Sequence, residues 1–280
     1  MAHATAARAP DGVTAHIDVS RVSKAFERHG KVVRALDDVS FAVPTGRVLA
    51  IVGPSGCGKT TLVNIIAGFE RPDAGTVSAL GRPVTGPSAS RAVVPQHYAL
   101  FDWKTVRGNV EFALKAKGIS RGERRALATD HLERVGLASV AELYPAELSG
   151  GMKQRLAVAR ALAVEPPCLL LDEPLAALDY QLRLRLQNEL TAMLERARQT
   201  AVVVTHDVDE ALYLADEVLL MTGSPGTIDS VVRVSLPRPR EPYMRNMPEF
   251  AELRQVIWDA LGLVEARQPQ QEGITPACAS

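Results

Sequence analysis

The sequence predicts an α/β fold: a parallel-sheet core carrying an antiparallel β subdomain and a helical insert. Three observations lead there. Short, wholly aliphatic runs at residues 48–52, 168–171 and 201–204 read as strands buried on both faces, as in a parallel sheet. Residues 17–22 instead alternate apolar and polar side chains, so they read as an antiparallel strand, pairing with 39–43. From about residue 98 to 164 the apolar period becomes helical, which sets an insert apart from the alternating core.

The elements follow in order. Residues 1–14 are Ala-rich without a period and read as a disordered lead; they lack the apolar stretch of a signal peptide. A helix over 60–67 follows the strand at 48–52. In the insert, Ser120 with Glu123 forms a capping box, Ala128, Leu132 and Val135 recur at helical spacing, and Gly136 closes the helix. Leu182, Leu186, Leu190, Met193 and Ala197 mark a longer amphipathic helix. The Leu-Pro-Arg-Pro-Arg run at 236–240 reads as a stiff connector. It leads to a helix over 249–261 with Phe250, Leu253, Ile257 and Leu261 on its apolar face. The division expected is a main domain over 15–235, an extension over 236–265 and a loose tail over 266–280.

Composition narrows the function. Of 280 residues, 46% are hydrophobic and 23% charged, as in ordinary globular proteins. Thirty-two basic residues balance 32 acidic ones, against the basic excess that nucleic-acid binding needs. The three cysteines, Cys57, Cys168 and Cys278, form no disulfide framework and no metal-binding pair, which suits a reducing compartment. No run of about 18 apolar residues could span a bilayer. Any role at a membrane would pass through a partner.

The strand at 48–52 leads into Gly53-Pro54-Ser55-Gly56-Cys57-Gly58-Lys59-Thr60-Thr61, the G-x-x-x-x-G-K-[ST] pattern between strand and helix. Glycines let backbone N–H groups turn inward as a nest for anionic oxygens, and the next helix aims its positive end there. Lys59 can reach the β- and γ-phosphates, and the Thr60 hydroxyl can ligate Mg²⁺. The sequence thus binds nucleotide, with ATP and Mg²⁺ as the expected ligands. Cys57, near a helix N-terminus, is expected to be a reactive thiol that nucleotide protects; Cys168, at the start of a buried strand, is expected to react slowly.

A second aliphatic strand ends in Asp172 and Glu173. Ligands of open parallel sheets sit beyond the strands' carboxyl ends. Asp172 is placed to hold Mg²⁺ through its water shell, and Glu173 to orient or deprotonate an attacking water. A third feature is Leu148-Ser149-Gly150-Gly151-Met152, followed by Lys-Gln-Arg. Ser149 can cap a helix, and the two glycines bare N–H groups at its positive end, a second phosphate site.

This run resembles the signature motif of ATP-binding cassette (ABC) proteins, and further landmarks appear in the family's order. The resemblance implies a phosphate-loop NTPase core of RecA-like type. Gln96 looks like the glutamine that contacts Mg²⁺ and water. Leu-Ala-Ala-Leu-Asp at 175–179 looks like the D-loop, with Asp179 near nucleotide and Ala176 where relatives often carry Ser. His206 looks like the switch histidine contacting the γ-phosphate and Glu173. Phe26 matches the aromatic that stacks on adenine. Finer features over residues 17–263 resemble the ATPase subunits of nitrate, taurine and aliphatic-sulfonate importers. These are the Trp103-to-Asn109 run, the 221–228 turn with Ser224 where Arg is usual, and 236–240.

The resemblance implies ATP hydrolysis by two copies facing head to tail. Each nucleotide is held by one chain's phosphate loop and the other's Ser149, Gly150 and Gly151. The ATPase would lie peripherally on the cytoplasmic face of the membrane, bound to permease subunits and, through them, served by a periplasmic or surface substrate-binding protein. Another ABC importer, or an exporter ATPase, is the alternative. His97, Tyr98, Leu100, Phe101 and Trp103 are either the permease-facing cluster or a local mini-core under their loop.

Overall fold

The computed structural model describes residues 15–28, 30–176 and 178–262. The expected lead at 1–14 and tail at 266–280 lie outside the described residues, as does Cys278. In chain order the elements are β1 (Ala15–Arg28), β2 (Lys31–Pro44), β3 (Val48–Val52), α1 (Lys59–Ala67), β4 (Ala74–Ala79), β5 (Arg82–Pro83) and β6 (Arg91–Val94). There follow α2 (Val106–Ala116), α3 (Arg121–Arg134), α4 (Gly150–Ala163), β7 (Cys168–Asp172), α5 (Tyr180–Ala197) and β8 (Thr200–Val204). The last are α6 (Val208–Leu214), β9 (Glu217–Thr222), β10 (Thr227–Arg233) and α7 (Pro248–Ala260).

The six-stranded sheet has the order β10-β9-β3-β8-β7-β6. It is parallel from β9 to β6, with β10 added antiparallel at one edge. Every residue of β3, β7 and β8 is buried. The two-residue period explains why the runs are aliphatic throughout. Leu49, Ile51, Leu170 and Val202 face α1 and the second sheet, while Ala50, Leu169, Leu171 and Val203 face the helices on the other side.

That second sheet is antiparallel, in the order β2-β1-β4-β5. Ile17 pairs with Val43 and Val22 with Val39, the pairing the alternation predicts. A bulge between Val19 and Val22, where Arg21 takes a φ of 50°, turns the ribbon.

Helices α2, α3 and α4 share a separate core built on Val106, Val110, Leu132 and Leu156. Each starts at a hydroxyl cap: Thr105 accepts from the Gly108 N–H, Ser120 from Glu123 and Ser149 from Met152. The Ser120 hydroxyl also donates to the Glu123 carboxylate at 2.7 Å, and Gly136 follows the cap of α3 at a φ of 65°.

Residues 236–240 depart from the expected connector. They form a strap fastened to the core. Arg238 donates to Asp216 and Glu195 at 2.8 Å each, and to the Leu214 carbonyl at 2.9 Å. Arg240 is buried and donates to the carbonyls of Leu236, Pro237 and Ala215. The prolines stiffen the segment as expected, but each guanidinium carries five donors, enough to tie a proline-rich run to carbonyls that end other elements. The strap delivers α7 onto α6. There Phe250 and Ile257 are fully buried in the main core, and Arg254 pairs with Asp209.

Helix α7 is thus part of the core's cover. Phe250→Ala should lower stability by about 3 kcal/mol or more, because it removes a fully buried ring. Val256→Ala, half-exposed on the same helix, should change it by under about 0.5 kcal/mol. Urea unfolding of both variants checks the contrast; equal losses would mean that α7 does not dock through Phe250.

Candidate active site

Strands β3, β8 and β7 are parallel neighbours, so Val52, Val204 and Asp172 end on one edge of the sheet. Whatever the sequence places just after them meets there.

After β3 the chain turns through residues 53–58 into α1. Gly56 and Gly58 take φ values of 83° and 90°. A Cβ on Gly53 would lie 2.3 Å from the Met221 carbonyl oxygen, and one on Gly58 2.6 Å from that of Ala35. Both positions exclude any side chain. Before Gly56 the space is open. Pro54, Ser55, Gly56 and Thr60 are exposed, and Thr61 partly so. Lys59 folds back into its own loop, donating to the carbonyls of Gly53 at 2.7 Å and Pro54 at 2.8 Å.

The expected reactive Cys57 needs correction. Its side chain is 1% exposed and packs in the cluster with Leu62, Ile66 and Met221. The thiol lies beneath the loop, so only the main chain of Cys57 faces an anion. Alternation along a tight turn sends Cys57 inward, which proximity to the helix N-terminus does not reveal. Cys168 is buried as expected, and burial raises its pKa to about 12.

The two carboxylates part at the end of β7. Asp172 is still in the strand, buried, and bonded to the Thr60 hydroxyl. Burial pushes its pKa up; the Thr60 bond, Lys59 and His97 oppose the shift, and the neighbouring Glu173 charge adds to it. Its Oδ1 has no hydrogen-bond partner among the described residues. A buried carboxylate with a free oxygen, bonded to an exposed hydroxyl, suits a hard cation that draws its other ligands from phosphate and water, as Mg²⁺ does. No group of three or more His, Cys, Asp or Glu that could hold a metal occurs among the described residues.

Glu173 swings the other way, at a φ of 50°. Its N–H donates to the Val204 carbonyl at 2.9 Å, and its own carbonyl accepts from Gln154 at 2.7 Å. The carboxylate then lies between Gln96 Nε2, at 3.4 Å, and His206 Nδ1, at 3.5 Å. The structure therefore brings Lys59, Thr60, Gln96, Asp172, Glu173 and His206 to one edge.

Other sequence-derived residues lie apart. Ser149 and Gly150 are exposed and Gly151 partly so, with Leu148 buried behind them; the N-terminus of α4 opens to solvent. Asp179 caps α5, accepting from the Leu182 N–H at 3.0 Å. Phe26 is half-buried on β1, opposite Val33, with Lys24 Nζ 5.2 Å from its ring. Of the aromatic group, Trp103 is 74% exposed, whereas Tyr98 and Leu100 pack on the core and Phe101 contacts both Trp103 and Phe112. Packing thus accounts for Tyr98, Leu100 and Phe101, while Trp103 stays exposed.

Four residues escaped the sequence reading. Gln154, in the run after Ser149, grips the Glu173 carbonyl; a lone amide on the inner face of α4 was the available signal. Gly226 donates to the Ala35 carbonyl, and its Cβ would lie 1.9 Å from that of Cys57. Thr205 and Glu210 lie behind His206: the Thr205 hydroxyl donates to Glu210 Oε2 at 2.6 Å. Burial pushes Glu210 up to about 7; the Thr205 bond and Arg183 oppose the rise, and the charges of Asp207 and Glu173 support it.

A family model described as ABC transporter matches residues 36–176. An uncharacterised ABC transporter ATP-binding protein of Methanocaldococcus jannaschii is 45% identical over 90% of this chain and 93% of its own length. The nitrate import ATP-binding protein of Synechocystis is 44% identical over 81% of this chain and 85% of its own. The bicarbonate transport ATP-binding protein of Synechococcus elongatus is 42% identical over 86% of this chain and 37% of its own. Among solved structures, a dimeric ATP-binding cassette in a post-hydrolysis state with ADP and phosphate superposes with a TM-score of 0.72 at 29% identity, covering 79% of this chain and all of that one.

Two expectations follow from the geometry. With the folded protein, a thiol-alkylating reagent should leave both Cys57 and Cys168 unmodified by peptide mass mapping until denaturant is added; rapid labelling of Cys57 would mean that it faces outward. The second concerns Glu210, whose folded pKa exceeds its ordinary 4.5. The stability it contributes below pH 4.5 is lost progressively as the pH rises to about 7. Glu210→Gln should flatten that fall, worth of order 2–3 kcal/mol. Urea midpoints of wild type and variant at about pH 5 and pH 8 check the sign.

Proposed function

The chain belongs to the ABC transporter family, and from that membership we propose that it is the ATP-hydrolysing subunit of a binding-protein-dependent importer for a small anion. The observation that carries the reading is the meeting of Lys59, Gln96, Asp172, Glu173 and His206 at one sheet edge beside a glycine nest. The nitrate and bicarbonate relatives support a small inorganic anion as cargo. No helix among the described residues is long and apolar enough to cross a membrane. In this reading the subunit sits peripherally on the cytoplasmic face, against permease subunits served by a substrate-binding protein.

The residues divide the work. Backbone N–H groups of Gly53, Ser55, Gly56, Cys57, Gly58, Thr60 and Thr61 cradle the phosphates, Pro54 shapes the loop without an N–H of its own, and Phe26 offers its ring to the base. Lys59 exchanges its two loop carbonyls for phosphate oxygens, using the three donors of its ammonium. Thr60, Asp172 and Gln96 would hold Mg²⁺, which supplies neutralisation of the phosphate charge. Glu173 accepts a proton from, or orients, the attacking water. Gln96 and His206 on either side limit where its carboxylate can point. Ser149, Gly150 and Gly151, exposed on α4, would reach the nucleotide of a second copy facing head to tail, with Asp179 beside the same interface. The dimeric cassette of similar fold supports that pairing. Residues 15–235 would form the ATPase domain, with the helical insert over 98–164 and an extension over 236–265.

Glu173→Gln should still bind ATP but lose about 10²- to 10⁴-fold in hydrolysis and accumulate an ATP-bound dimer in gel filtration. Wild-type turnover would remove Glu173 from the chemistry. Ser149→Arg should leave ATP affinity of the dilute monomer near wild type while abolishing ATP-driven dimerisation, whereas Lys59→Ala should weaken binding in the monomer. Equal losses of monomer affinity would put Ser149 on its own chain's nucleotide.

A further inference from the structure

We propose that Glu210 is a positioning residue for hydrolysis: through the Thr205 hydroxyl it holds the turn that presents His206 to Glu173. The proposal rests on the roles given above to Glu173 and His206.

The His206 side chain is 64% exposed, and its imidazole meets Glu173 at 3.5 Å. An exposed ring is located by its backbone more than by packing. That backbone is a three-residue turn, 205–207, between β8 and α6. One side of the turn is tied to β3 by the Thr205 N–H, which donates to the Ile51 carbonyl at 3.2 Å. The other end is held by Asp207, whose carboxylate caps α6 by accepting from the Glu210 N–H at 3.1 Å, and within the turn one hydroxyl makes two bonds. Thr205 Oγ1 accepts from the Asp207 N–H at 3.0 Å, closing the turn around His206, and donates to Glu210 Oε2 at 2.6 Å. A hydroxyl has a single proton, so the acceptor that takes it decides which lone pair faces Asp207. Glu210 is that acceptor.

The cost of keeping Glu210 in place is visible. It is 3% exposed, its neighbours Ala211, Leu212, Tyr213 and Leu214 are all buried, and its Oε1 has no partner among the described residues. A buried carboxyl with one unpartnered oxygen is costly, and its presence here points to a task that an apolar side chain cannot perform. The nearby cation does not offset it directly, because Arg183 pairs with Asp207 at 3.3 Å. Between Glu210 and the catalytic edge lies a cavity of only about 10 Å³, lined by Glu173, Arg183, Thr205, His206 and Asp207. The two acids Glu173 and Asp207, with Arg183 and His206, are thus the charged or titratable groups that face Glu210, from α5, from the end of β7 and from its own turn. The strands packed against α6 present aliphatic residues.

The test is steady-state ATP hydrolysis by the full chain. Glu210→Ala should lower kcat about tenfold, a modest misplacement penalty, with KM for ATP changed less than about twofold. Glu210→Gln, which keeps an acceptor for Thr205, should restore most of kcat. In a His206→Ala background, Glu210→Ala should have no further effect, since it acts through that histidine. An unchanged kcat in Glu210→Ala, or the same fractional loss in both backgrounds, would overturn the proposal. Should Glu210→Ala fail to fold, Thr205→Val against Thr205→Ser carries the same comparison, with Val expected to reproduce the loss and Ser to avoid it. If His206→Ala alone retains wild-type kcat, the underlying assignment falls and the proposal with it; that outcome is read from the His206 variant and is distinct from a failure at Glu210.

Discussion

The arrangement of the site depends on where β7 stops. Asp172 is the strand's last residue and Glu173 the first beyond it, yet their carboxylates serve different neighbourhoods. Continued extension would only have alternated them across the sheet. Instead Glu173 takes a left-handed φ of 50°, a conformation costing about 1–3 kcal/mol for a residue with a Cβ. Two hydrogen bonds offset it, one to the Val204 carbonyl and one from Gln154. The result keeps Asp172 buried against Thr60 and turns Glu173 outward between Gln96 and His206. Three elements far apart in sequence, β8, α4 and the loop after β6, therefore converge on one strained residue.

A second constraint latches the antiparallel sheet to the phosphate loop. Gly226 exchanges hydrogen bonds with β2, donating to Ala35 and accepting from Asp37, while its missing side chain makes room for the Cys57 carbonyl. Gly58 lies against the same Ala35 carbonyl. The β1–β2 ribbon that carries Phe26 is thereby fixed against the loop at Ala35, with Leu36 and Cys57 buried beneath the contact. Two glycines on separate elements thus couple the ribbon to the nest.

How much of this was legible follows from the kind of signal each feature leaves. Period and burial are written into every residue of an element, so β3, β7, β8, the β1–β2 pairing and the helices capped by Ser120 and Ser149 were readable. The candidate site was readable where glycine spacing and strand-end acids have a direct chemical meaning. Side-chain direction within a tight turn leaves no such trace, and Cys57 went to the core rather than to the phosphates. Contacts between distant segments leave still less. Gln154, Gly226 and Glu210 each look ordinary in sequence, and their partners lie 19 or more residues away or in a turn only the fold defines. The 236–240 strap misled because proline spacing reports stiffness, while the partners of Arg238 and Arg240 lie on α5 and before β9.

The charges of the site are satisfied unevenly, and that asymmetry bears on how the proposed cycle begins. Lys59 already has two carbonyl acceptors, so taking up phosphate exchanges bonds rather than creating them. Asp172 instead holds a buried oxygen without a partner and a carboxyl whose pKa burial has raised. A cation arriving with the nucleotide would relieve that cost. The positive end of α4 is the opposite case, open to solvent and, in the proposed reading, not used on its own chain's nucleotide. A single chain therefore stabilises phosphate charge from one side only. In the proposed reading a second copy supplies the face left open, which would tie completion of the hydrolytic site to association, and association to the presence of nucleotide.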